Sequence, residues 1–71
     1  MQIKAGRYRH YKGNEYEVID TVRHSENEDW LVLYRPLYGT KKLWVRPYDM
    51  FVENVELNGE SVPRFMFIAE K

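Results

Sequence analysis

The chain contains no cysteine, which excludes disulfides and every thiolate metal site. No apolar run approaches the ~18 residues that a membrane-spanning helix needs. Met1-Gln2-Ile3-Lys4-Ala5 lacks the apolar stretch of a secretory leader, so the expected home is the cytoplasm. Net charge is missing as well. Eleven basic residues balance eleven acidic ones, which argues against a generic polyanion binder. Gly13, Gly39 and Gly59 stand in three separate turns, leaving no phosphate-cradling loop. The two histidines and the scattered carboxylates match no metal-ligand spacing. His24 and Ser25 are adjacent with Asp20 nearby, but neighbours on a strand point to opposite faces and cannot form a catalytic triad. The expectation is a binding domain with no catalytic residue, no metal and no cofactor.

What is present is aromatic. Seventy-one residues make a single domain, 1–71, that buries only roughly 60% of its unfolded surface. Six Tyr, three Phe and two Trp offer the dense packing that so thin a core requires, since a ring buries roughly 150–250 Å². Charge alternates in blocks: a net +4 over residues 1–14, −5 over 15–29, +4 over 30–47 and −3 over the remainder. Two readings follow. Neighbouring strands could pair opposite charges across a sheet, or the two basic blocks could share one basic, aromatic face.

Strand signals dominate. Arg7-Tyr8-Arg9-His10-Tyr11 leads to the turn Lys12-Gly13-Asn14, and Glu15-Tyr16-Glu17-Val18 alternates as a half-buried strand. The alternation slips at Val18-Ile19, which predicts a bulge or bend. After the polar loop 25–29, Trp30-Leu31-Val32-Leu33-Tyr34 reads as a central strand covered on both faces. Leu43-Trp44-Val45-Arg46 follows, and Pro47 opens a short helical turn over Tyr48-Asp49-Met50-Phe51. Asn58-Gly59 is a hairpin signal between Val55-Glu56-Leu57 and a last strand running from Val62 to Ile68. Pro63 places the start of that strand at an edge. These spacings predict a mostly β fold: a small SH3-like barrel of five to six antiparallel strands with a short helical turn. An OB-fold is the main rival.

The segments Tyr8-Arg9-His10-Tyr11-Lys12-Gly13-Asn14, Tyr34-Arg35, Leu37-Tyr38-Gly39, Leu43-Trp44-Val45-Arg46-Pro47 and Val62-Pro63-Arg64-Phe65, in this order, resemble a family of small bacterial proteins known only as a domain of unknown function, DUF1653. The resemblance covers nearly the whole chain. It implies an SH3-like barrel and implies no activity.

Tyr16, Trp30, Phe51, Phe65 and Phe67 are assigned to the core. Alternation sends Arg7, Arg9 and Tyr11 to one face of their strand, with Tyr8 and His10 on the other. Leu43 and Val45 suit the core, which turns Trp44 and Arg46 outward. Trp and Arg are enriched at the centres of interfaces, so Arg9, His10, Tyr11, Arg35, Tyr38, Trp44 and Arg46 form the candidate binding face. The expected partner of this monomer is a peptide or other small ligand. Single-stranded RNA or DNA and a purely structural role are the alternatives.

Overall fold

The computed structural model describes residues 3–70. In chain order the elements are β1 (Gly6–His10), β2 (Glu15–Arg23), β3 (Trp30–Pro36), β4 (Trp44–Pro47), α1 (Tyr48–Val52), β5 (Asn54–Leu57), β6 (Glu60–Pro63) and β7 (Phe65–Ala69). A five-stranded sheet runs β4-β3-β2-β1-β7, and β5 pairs with β6 in a separate two-stranded sheet. All pairings are antiparallel.

The inner face of the large sheet is built by period-two alternation. Tyr8 in β1, Tyr16 and Val18 in β2, Val32 and Tyr34 in β3 and Phe65 in β7 are buried. Helix α1 closes this face with one ring. Phe51 stacks on Phe65 at 4.0 Å between centroids and meets Tyr8 and Tyr34 edge-on. Among the described residues, no polar or charged side chain belongs to the core. Burying one apolar side chain such as Val32 or Phe51 contributes about 1.5–3 kcal/mol, a large share of a small domain's stability.

The bulge appears where the alternation slips: Val18 opposes Tyr34 but Asp20 opposes Leu33, leaving Ile19 as the extra residue. Gly6 sits where β1 meets the end of β7. A Cβ there would stand 2.6 Å from the Ala69 carbonyl oxygen, and its φ of +144° is one that side-chain-bearing residues rarely adopt.

Several expectations change. Among the described residues the sheet does not close into a barrel, and there are seven strands rather than five or six. The presumed last strand is broken at Arg64, whose N–H donates to the Glu53 carbonyl and whose carbonyl accepts from the Tyr11 N–H. Those bonds tie the β5–β6 hairpin to the large sheet, and the Arg64–Glu53 ion pair reinforces them. β3 is fully buried on one face only, because Leu31 and Leu33 lie on the other, partly open face. Trp30 and Phe67 are likewise half-buried, not core, and the Trp30 ring carries the Arg23 guanidinium 4.4 Å from its centroid.

Candidate binding face

Antiparallel partners share a face, and the β3–β4 register sets Trp44 against Tyr34 and Arg46 against Val32. Trp44 and Arg46 therefore lie on the inner face, beyond the edge of the core. Leu43 and Val45 are 54% and 55% exposed, so the expected orientation of this strand is reversed. β4 is an edge strand, and the apolar Leu43 and Val45 remain in water.

Around Trp44 the rings form a connected platform. Its indole lies 6.0 Å from Tyr34 and 6.4 Å from Tyr16. The Tyr38 ring stands edge-on to Tyr16 at 5.9 Å, and their hydroxyls are 3.1 Å apart. Burial, helped by that hydroxyl contact, pushes the Tyr16 phenol up to about 12. Arg46 donates from Nε to the Tyr34 hydroxyl at 3.2 Å and holds its guanidinium 5.6 Å from the Phe65 ring. Trp44 and Tyr38 are each 45% exposed. Their inner edges touch buried tyrosines while nearly half of each side chain faces solvent.

His10 extends the platform. It packs edge-on against Phe65 at 4.9 Å and Tyr16 at 6.3 Å, and the Tyr11 ring lies against it at 4.6 Å. β1 ends at His10, so strand alternation does not govern Tyr11, whose ring lies against His10. The imidazole accepts the Lys12 N–H on Nδ1 at 3.1 Å, which puts the proton of the neutral ring on Nε2. Burial lowers the His10 pKa, and Arg64, Arg46 and Lys12 lower it further.

Arg9 and Arg35 are placed elsewhere. Arg9 pairs with Glu15 at 2.9 Å and Arg35 with Glu17 at 3.4 Å, with Arg7 also reaching Glu15 at 3.5 Å. These residues alternate with the buried positions of β1, β2 and β3, so they form a ladder on the outer face. Of the two readings of the charge blocks, cross-strand pairing describes this ladder. His10, Tyr38, Trp44 and Arg46 come together, with Tyr11 at their border. Tyr16 and Tyr34 complete the site, and sequence reasoning could not separate their ring edges from the core. Among the described residues no group of His, Asp or Glu could hold a metal ion, and no helix is long and apolar enough to cross a membrane.

No curated protein matches this chain. A solved structure is similar over 97% of this chain and 91% of its own, with 28% identity and a TM-score of 0.88. It is the crystal structure of a DUF1653 protein from Bordetella bronchiseptica. The model of that family, described as a protein of unknown function, matches residues 6–67. The chain thus belongs to the DUF1653 family.

Proposed function

We propose that the domain is a non-catalytic binding module that takes an extended peptide across the platform of Tyr38, Trp44, Tyr16 and His10. One observation carries the reading: Trp44 and Tyr38 are held from behind by buried tyrosines yet remain 45% exposed. A pre-positioned ring loses little conformational entropy on binding, which is the property of an interface anchor. Proline-rich segments suit such a surface, because a preformed extended helix lays its rings and methylenes on aromatic faces. Single-stranded nucleic acid is less well served. Arg9 and Arg35 pair with glutamates on the outer face, away from the exposed rings of Trp44 and Tyr38, and Arg46 is held by Tyr34. The exposed Lys41 and Lys42 are the basic residues left in the β3–β4 connection.

The test is an NMR titration of the intact protein with a proline-rich peptide set and with oligo(dT). We expect saturable peptide shifts centred on Trp44 and Tyr38. Trp44→Ala should weaken the best peptide about 30-fold, the equivalent of about 2 kcal/mol. Tighter oligo(dT) binding with a steep salt dependence would favour the nucleic-acid reading. No binding by either class would leave the structural role standing.

A further inference from the structure

A separate cavity of about 300 Å³ lies between the end of β1 and the β5–β6 hairpin. Arg9, His10 and Tyr11 line it together with Leu57, Val62 and Met66, and Met66 is the cross-strand partner of Arg9. We propose that this cavity is a binding site for a small apolar carboxylate, its hydrocarbon part against Leu57, Val62 and Met66 and its anionic group toward Arg9, His10 and Tyr11.

Size and surface set the apolar half of that ligand. The volume sits at the lower end of the range for small-molecule pockets, roughly 300–1,000 Å³, and accommodates a branched aliphatic or a phenyl group. Leu57 and Met66 are 43% and 51% exposed, so the hairpin and the edge strand leave apolar side chains in water around one concavity. A ligand that covered them would gain about 25 cal/mol for each Å² removed from water.

Charge sets the other half. Among the described residues no carboxylate contributes to the wall, whose polar side chains are Arg9, His10 and Tyr11. Arg9 has five N–H donors and its ion pair with Glu15 runs through Nη2, so donors remain for a second anion. His10 has its Nδ1 occupied by the Lys12 N–H, which makes Nε2–H the ring's donor. Arg64, Arg46 and Lys12 all act on His10 as positive charges, a field that favours an anion and repels an amine.

The cavity shares His10 with the peptide platform but not Tyr16, Tyr38 or Trp44, so variants at Trp44 and Met66 distinguish the two sites. N-acetyl-leucine and its amide are titrated into the protein while the Leu57, Val62 and Met66 methyl signals are followed by NMR. The acid should shift them saturably, and the amide should bind at least ~5-fold more weakly, because it lacks the charge. Equal binding of acid and amide would overturn carboxylate recognition, and no methyl shift with either would overturn the site. Met66→Glu should weaken the acid at least ~10-fold relative to the near-isosteric Met66→Gln, through like-charge repulsion at an exposed position. Equal affinity of the two variants would count against the assignment. Trp44→Ala should leave acid binding unchanged, and a loss there would move the ligand to the platform and refute the cavity. A tripeptide ending in leucine, compared with 3-phenylpropionate, then distinguishes a peptide terminus from a free acid as the source.

Discussion

Tyr16 connects the core to the platform, and its hydroxyl carries a measurable signature. Its pKa is pushed up to about 12, by burial first and then by the Tyr38 hydroxyl. An unfolded chain ionises tyrosine near ~10. Between these values the unfolded state releases a proton that the folded state keeps. The stabilisation is therefore complete below about pH 10 and is lost as pH rises toward 12. Thermal melts at pH 9 and pH 11 should show a larger loss for the wild type than for Tyr16→Phe, which has no proton to release there. Equal losses would mean that the Tyr16 hydroxyl is not shielded. At this scale the sequence was legible where alternation is unambiguous, as for Tyr8 against Arg9. It misled at Trp44, because Leu43-Trp44-Val45-Arg46 offers an apolar residue to either face and only the register against Tyr34 decides between them.

The β5–β6 hairpin is the element that turns on a single residue. Asn58 and Gly59 have φ values of 53° and 82°, positive at both central positions, as a type I′ turn requires. A Cβ on Gly59 meets nothing within 4 Å, so a substitution there acts through backbone conformation alone. Gly59→Val should destabilise by about 1–2 kcal/mol, since a β-branched residue strains in this region. Gly59→Asn should cost less, because asparagine tolerates the conformation. Chemical denaturation of the three proteins checks the order, and a wild-type midpoint for Gly59→Val would contradict it. The hairpin and the Ile19 bulge were readable because turn chemistry and a slipped alternation are local signals. The break at Arg64 was not. Pro63 can end a strand as easily as begin one, and the choice rests on bonds to Glu53 and Tyr11, both distant in sequence.

For the molecule as a whole, the alternating charge blocks become a surface architecture with a testable sign. The first basic block and the acidic block after it fold into β1 and β2, the next basic block supplies Arg35, and the outer face carries the ladder Arg7–Glu15, Arg9–Glu15 and Arg35–Glu17. Further pairs, Lys4–Glu70, Arg23–Glu28 and Arg64–Glu53, join other parts of the surface. Most of these groups are well solvated, so each pair contributes only about 0–1 kcal/mol. With net charge zero, there is little overall repulsion for salt to relieve. Added salt should then act mainly by screening attractive pairs, whose charges sit closer together than the Debye length of about 10 Å at 0.1 M. Raising sodium chloride from 10 mM to 500 mM should lower stability by about 1 kcal/mol, or about 4–8 °C in Tm for a domain of this size. Glu15→Gln, which removes the acid shared by Arg7 and Arg9, should flatten that dependence. A wild-type Tm that rises over the same range would mean that like charges dominate the surface, and the ladder would lose its stabilising role.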